Sequence, residues 1–167
     1  MTVEVLVEDD PRCEVEELVA AAEHALRAMH VHPQAELCLR IVDPAAIEVL
    51  HEEWMDLAGP TDVMSFPMDE LRPGTPERPT EPGVLGDIVL CPAVAAQQAE
   101  RLGHPVLDEM LVLTVHGVLH LLGYDHAEPD EEREMFTLQR DILADHLATL
   151  GRTTTAAPAP GSRGARG

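Results

Sequence analysis

Several residue types are scarce in this chain of 167 residues, and each scarcity excludes a class of protein. Aromatic residues make up 2% of the sequence, so aliphatic side chains must fill the core. The cysteines, Cys13, Cys38 and Cys91, are odd in number and form no CxxC pair, which predicts reduced, mostly buried thiols rather than metal ligands. No apolar run approaches the roughly 20 residues of a membrane-spanning helix. The acidic N-terminal segment is unlike a secretory signal, so we expect a cytoplasmic protein without a membrane partner.

Lysine is absent altogether, and the charge is strongly one-sided. Eleven arginines stand against 31 acidic residues, which gives a formal net charge of −20. Three arginines lie after Gly151, so the chain before them carries eight against the 31 acidic residues, a balance of −23. Phosphate contacts need clustered positive charge, so this balance argues against a broad nucleic-acid-binding surface. A polyanion would have to bind in a local cleft, helped by the charge of a metal ion.

Apolar periodicity, prolines at helix starts and glycines at helix ends divide the chain into strands and helices. The predicted strands are residues 3–7, 37–42, 62–66 and 86–90, and the predicted helices are residues 14–29, 44–57, 92–103 and 107–122 and a last helix from Pro129. This order predicts an α+β fold, in which helices pack on one face of a small mixed sheet.

The same patterns predict the domain organisation. Residues 1–150 are expected to form a single metal-dependent hydrolase domain. Residues 68–83 are rich in Pro, Glu and Gly, which predicts a flexible surface loop inside that domain. Residues 151–167 are rich in Thr, Ala, Pro and Gly and are expected to form a disordered tail.

The most informative segment is HGVLHLLGYDH, residues 116–126. His116 and His120 are four residues apart on a predicted helix, so both imidazoles project from one face. Gly123 stands where the helix should end, and a glycine there allows the chain to turn back and bring His126 to the same point. Three neutral imidazoles with an open fourth position are typical of a catalytic zinc site, although nickel and other ions accept the same ligands. Zinc in such a site lowers the pKa of a bound water towards about 7.

The spacing of these histidines equals that of the metzincin metalloproteases, whose motif is H-E-x-x-H-x-x-G-x-x-H. The glutamate of that motif is the general base. Here its position is Gly117, which has no side chain. The pattern therefore predicts a metzincin-like metal site without the usual peptidase chemistry.

The whole segment resembles the signature of the YbeY family of bacterial endoribonucleases, H-G-x-L-H-L-x-G-Y-D-H. Two further blocks agree with that family: TDVMSFP at residues 61–67, similar to T-(D/N)-V-L-S-F-P, and LGDIVL at residues 85–90. The blocks occur in the family's order and cover most of residues 50–147.

The resemblance implies a zinc-dependent endoribonuclease, with one Zn²⁺ on His116, His120 and His126. It implies single-stranded ribosomal RNA near the small-subunit 3′ end as substrate, a role in ribosome quality control, and association with small ribosomal subunits and their proteins. The chain departs from the family at one position: many members carry Arg after the aromatic residue that precedes the T-(D/N)-V block, and here Met55 follows Trp54. Arg40 and Arg72 are the candidates to supply that charge.

Three further side chains are candidates for the site. Asp125 could orient a ligand imidazole from outside the metal shell, or it could be an exposed turn acid. Ser65, together with Asp62, could line the cleft beside the metal. Asp62 could instead cap a turn.

Two other functions fit the same residues. One is a metal-dependent peptidase or amidase whose base comes from elsewhere in the fold. The other is a non-catalytic ribosome assembly factor in which the metal holds the last helices together, a hypothesis that the missing arginine at position 55 favours.

Overall fold

A computed structural model describes residues 2–55 and 59–152. The strands are β1 (Thr2–Val7), β2 (Glu36–Ile41), β3 (Val63–Pro67) and β4 (Val84–Leu90), and the helices are α1 (Val15–Ala28), α2 (Pro44–Met55), α3 (Pro92–Leu102), α4 (Val106–Leu121) and α5 (Pro129–Thr149). Every predicted strand and helix is therefore present. The predicted residues 56 and 57 of the second helix lie outside the described residues, as does the predicted disordered tail from residue 153 onwards.

The four strands form one mixed sheet in the order β1-β2-β4-β3. Strands β1, β2 and β4 run parallel, and the edge strand β3 runs antiparallel to β4. Helix α1 makes the crossover that two consecutive parallel strands require. The predicted α+β fold with a small mixed sheet is confirmed.

Alternating side chains give the sheet two faces. Leu39 of β2 and Ile88 of β4 belong to the main core, which includes residues of α1, α4 and α5. Val89, on the opposite face of β4, joins Ile47 of α2 in a second, smaller cluster. The expectation that the helices lie on one face is thus wrong for α2, because its apolar positions pack on the other face.

Helix α4 lies at the centre of the molecule and contacts α1, α3, α5, β3 and β4. From Asp108 to Leu119 every one of its residues is buried. Pro129 begins α5, and its acidic first turn suits the positive end of the helix dipole. Within the described residues, no helix is long and apolar enough to cross a bilayer.

Residues 68–83, which the structure describes throughout, contain neither helix nor strand. Hydrogen bonds join this loop to the end of α1: the backbone N–H of Gly74 donates to Met29 O at 3.0 Å and that of Thr80 to His30 O at 3.1 Å. The Thr80 hydroxyl also accepts from the backbone of His32 at 2.9 Å. The flexibility of this loop stays a prediction.

Candidate metal centre

Three imidazoles converge where α4 ends. His116 and His120 lie one turn apart on α4, with ring centroids separated by 4.6 Å. The ring of His126 lies 5.5 Å from that of His116 and 5.2 Å from that of His120. One ring nitrogen of each histidine lies within 4.8 Å of the others, so the three could hold one metal ion. We call this cluster the three-histidine site.

Hydrogen bonds orient two of the three rings. His116 Nδ1 lies 2.7 Å from the side-chain oxygen of Gln139, which is fully buried on α5. His120 Nδ1 lies 2.9 Å from the backbone oxygen of Tyr124. An oxygen acceptor requires a proton on Nδ1, so in the neutral form of each ring the lone pair lies on Nε2. This neutral tautomer is the one that ligates a metal through Nε2.

The donor set fits a zinc ion. Tetrahedral ligation with Zn–N distances of about 2.1 Å would place ligand nitrogens about 3.4 Å apart, and the three ring nitrogens lie within 4.8 Å of one another. Three histidines leave the fourth position of a tetrahedron for a water or substrate oxygen.

Phe136 closes one side of the site with an apolar ring. It is 4% exposed and lies 5.8 Å from the His116 ring and 5.9 Å from the His126 ring. Burial, with a smaller contribution from Glu134, raises the pKa of Tyr124, so its phenol stays protonated at neutral pH.

A glycine turn carries the chain from the second histidine to the third. Gly123 adopts φ +99°, and its N–H donates to His120 O at 3.0 Å, while Tyr124 N–H donates to Leu119 O at 3.1 Å. Left-handed backbone of this kind favours glycine. The predicted glycine bend between His120 and His126 is confirmed.

Asp125 takes part in this turn. Its carboxylate accepts a hydrogen bond from the backbone N–H of His126 at 2.7 Å. The imidazoles of His116 and His120 are oriented instead by Gln139 and by Tyr124 O. A role for Asp125 towards a ligand imidazole stays a prediction, beside its observed role in holding the turn.

Gly117, which stands at the position of the glutamate in the metalloprotease motif, packs against Ile88 of β4. A Cβ atom at this position would lie 2.7 Å from Ile88 Cγ2 and 3.0 Å from Ile88 Cδ1. Ile88 is fully buried and belongs to the main core. A larger side chain at position 117 would therefore require Ile88 to shift.

An open cleft lies beside the three-histidine site. Its lining includes His120, Gly123, Tyr124 and Asp125 on one side and Met55, Ser65 and Pro67 on the other. The Ser65 hydroxyl donates to Gly117 O at 3.3 Å, so β3 is joined to α4 at this point. We call this depression the central cleft, and Ser65 lies in its wall as expected.

Asp62 does not line the central cleft as the described residues form it. It is 2% exposed, and its carboxylate accepts from the Thr61 hydroxyl at 3.4 Å. The expectation that it lines the cleft is wrong, because this side chain is buried in the protein rather than exposed to the cleft.

The two candidate arginines lie on opposite sides of the central cleft. Arg72 lines an adjoining depression that shares Gly123, Tyr124 and Asp125 with the cleft, and its guanidinium lies over Gly123. Arg40 lines a second adjoining depression, which also contains Met55. An exposed ion pair joins Arg40 to Glu8 at 3.2 Å.

The three cysteines are free thiols outside the site. Cys91 is buried, whereas Cys13 and Cys38 are partly buried. Burial raises the pKa of all three thiols, that of Cys13 to about 11, so they stay protonated and unreactive at neutral pH.

Two hydrogen-bond partners of the candidate ligand imidazoles were not predicted from the sequence. Gln139 lies 23 positions after His116, and nothing in its local pattern marks it as a partner of a histidine. The partner of His120 is the backbone oxygen of Tyr124. Every residue has a backbone oxygen, so the residue type gives no sign of this hydrogen bond.

The fold and the histidine cluster define an α+β protein with a group of three histidines that could bind a metal ion near the end of α4. Residues 7–146 match the family model described as Endoribonuclease YbeY. The chain belongs to the YbeY family, whose members are named endoribonucleases. This confirms the predicted family and, with it, the predicted enzyme class, a hydrolase of the endoribonuclease type.

Relatives agree with this assignment, and a solved structure shares the fold. An Endoribonuclease YbeY from Beutenbergia cavernae is 59% identical over 148 residues, which are 89% of this chain and 99% of the relative. One from Clavibacter sepedonicus is 67% identical over 122 residues, 73% of this chain and 80% of the relative. The solution structure of a Thermotoga maritima protein shares the fold, with a TM-score of 0.62 at 23% identity over 98% of this chain and 99% of that chain.

The packing of Gly117 against Ile88 predicts that any side chain at position 117 destabilises the fold. Gly117→Ala should lower the free energy of unfolding by about 1–3 kcal/mol, because the added methyl group overpacks a filled core. Urea denaturation measures this loss. In a double-mutant cycle, Ile88→Ala should make Gly117→Ala less costly, and strict additivity of the two losses would contradict the contact.

Gln139 is predicted to support metal binding through His116. Gln139→Leu removes the acceptor of the Nδ1 proton and should weaken zinc affinity about 10–100-fold, whereas Gln139→Glu keeps an acceptor oxygen. Competition with a chromophoric chelator measures the affinity. The control is Gln97→Leu on the exposed side of α3. Equal affinities in the Gln139→Leu and Gln97→Leu proteins would exclude this role.

Proposed function

We propose that this protein is a zinc-dependent endoribonuclease that cleaves single-stranded ribosomal RNA during maturation of the small-subunit 3′ end. In this proposal it acts in the cytoplasm, associates with small ribosomal subunits and contributes to ribosome quality control. Membership of the YbeY family supports the endoribonuclease activity. The observation that carries the metal dependence is the convergence of three imidazoles with one ring nitrogen each within 4.8 Å of the others.

The three-histidine site would hold the ion through His116, His120 and His126. Bound there, zinc supplies Lewis acidity, which polarises a phosphoryl oxygen and lowers the pKa of a water molecule. Gln139 and Tyr124 O keep two of the rings in the ligating tautomer.

Around the ion, other side chains would position the substrate. The hydroxyl of Ser65 lies in the wall of the central cleft, and because its proton is donated to Gly117 O, its oxygen can accept from a ribose hydroxyl. The Asp125 carboxylate holds the turn before His126 and so sets where the third imidazole stands. We retain as a further proposal that Asp125 also orients a ligand imidazole.

Arg72 and Arg40 provide local positive charge in a chain whose net charge is −20. Each lines a depression that adjoins the central cleft. A strand of RNA crossing the three-histidine site would meet Arg72 on one side, where a guanidinium suits a phosphate oxygen. On the other side it would meet Arg40, which is paired with Glu8. Local charge at these points takes the place of the broad basic surface that the chain lacks.

His120→Ala tests the catalytic metal. The purified wild-type protein should contain about one zinc per chain. The variant should lose the metal, and cleavage of a single-stranded RNA should fall by more than about 100-fold, above the loss that an outer hydrogen-bond partner causes. Metal analysis and RNA cleavage are measured on the same samples.

The matched control is His32→Ala, which removes a histidine from a turn outside the site. It should keep both zinc and cleavage. Undiminished cleavage by metal-free His120→Ala protein would contradict the proposal. Steady metal-dependent turnover of fluorogenic peptides, without RNA cleavage, would support a peptidase instead.

Ribosome association has a separate test. Full-length protein should co-sediment with isolated small ribosomal subunits, and Gln97→Leu, on the exposed side of α3, should do the same. RNA cleavage distinguishes the endoribonuclease from a non-catalytic assembly factor, and the His120→Ala protein serves as the sample without cleavage. Subunit binding with no RNA cleavage by the zinc-loaded wild type would indicate a non-catalytic assembly factor.

A further inference from the structure

We propose that an aromatic groove beside the three-histidine site binds one unstacked nucleobase of the RNA strand. The groove lies on the sheet face that carries the smaller apolar cluster, and its volume is about 560 Å³. Its lining includes Arg40, Trp54, Met55, Ser65, Phe66 and Asp87. We call it the Trp54 groove. This inference rests on the proposed function, because it assigns a subsite to the same substrate.

Trp54 presents an open aromatic face. Its side chain is 66% exposed, although tryptophan normally buries most of its large apolar surface. The indole makes an edge contact with Phe66, at 5.8 Å between ring centroids and 74° between planes. The remaining surface is available for stacking, and base–aromatic stacking holds unpaired nucleotides irrespective of sequence.

The groove and the central cleft are continuous across the edge strand β3. Met55, Ser65 and Pro67 line both depressions, and His120 lines the central cleft. Consecutive nucleotides of one strand can therefore occupy the two places, with a phosphate at the three-histidine site and a neighbouring base in the Trp54 groove.

The polar groups of the groove favour a base over a phosphate. Asp87 contributes a carboxylate to the lining, and Arg40 is already paired with Glu8 at 3.2 Å. A phosphate would meet that carboxylate, whereas the edge of a base offers both donors and acceptors. Methionine and phenylalanine side chains in the lining match its flat apolar faces.

Such a subsite would also select single strands. The bases of an A-form duplex are stacked and their faces are covered, so they cannot reach an aromatic side chain without being unpaired. Stacking adds affinity without adding positive charge, which is compatible with a chain of net charge −20.

The test uses the fluorescence of Trp54, which is the one tryptophan of the chain. Titration of the zinc-loaded full chain with a short single-stranded RNA should quench its emission. An abasic oligomer of the same length and charge should not, and neither should a duplex. By anisotropy of labelled RNA, Trp54→Ala should bind about 10-fold more weakly, whereas Trp54→Phe should stay within about threefold of wild type.

The control is Leu102→Ala, which truncates another exposed apolar side chain at the end of α3 and should bind RNA like wild type. The inference is overturned if Trp54→Ala binds RNA as tightly as wild type, if labelled RNA binds without quenching, or if the abasic oligomer quenches equally. Quenching by an apolar peptide and not by RNA would assign the groove to a protein partner and overturn it too.

The two proposals fail in distinguishable ways. If wild-type protein cleaves RNA in a zinc-dependent manner while Trp54 does not respond, the nuclease function stands and the nucleobase subsite is wrong. If zinc-loaded wild-type protein neither binds nor cleaves RNA, both are wrong.

Discussion

The burial of α4 from Asp108 to Leu119 is the constraint on which the rest of the structure depends. This part of the helix packs against the sheet and three other helices, so a polar side chain on it needs a partner inside the protein. His116, with no exposed surface, meets this demand through Gln139, and His120 through Tyr124 O. These bonds hold the rings in one tautomer and orientation, as a metal ligand requires.

Local sequence patterns were sufficient for the parts of the site that depend on backbone geometry. A four-residue spacing places His116 and His120 on one side of a helix whatever surrounds it. Gly123 predicted the turn because left-handed backbone strongly favours glycine, and the structure has φ +99° there. The order of strands and helices followed from periodicity for the same reason: each depends on residues close in sequence.

Features that depend on distant residues could not be predicted in this way. Gln139 reaches His116 only because α5 packs on α4, and a glutamine on a helix is ordinarily a surface residue. The packing of α2 on the opposite face of the sheet depends on Ile47 meeting Val89, and apolar periodicity does not say which face a helix covers. Likewise, the sequence showed that Gly117 cannot act as the general base of the protease motif. Its packing against Ile88, which makes a larger side chain there sterically costly, is visible in the structure alone.

The central claim is that three imidazoles share one ion and leave a position open. X-ray absorption at the zinc edge of the metal-loaded protein tests this directly. We expect three imidazole nitrogens and one oxygen ligand at about 2.0–2.1 Å, the geometry of an open catalytic site. Sulfur ligands at about 2.3 Å, or a shell of oxygens with fewer than three imidazoles, would contradict the account.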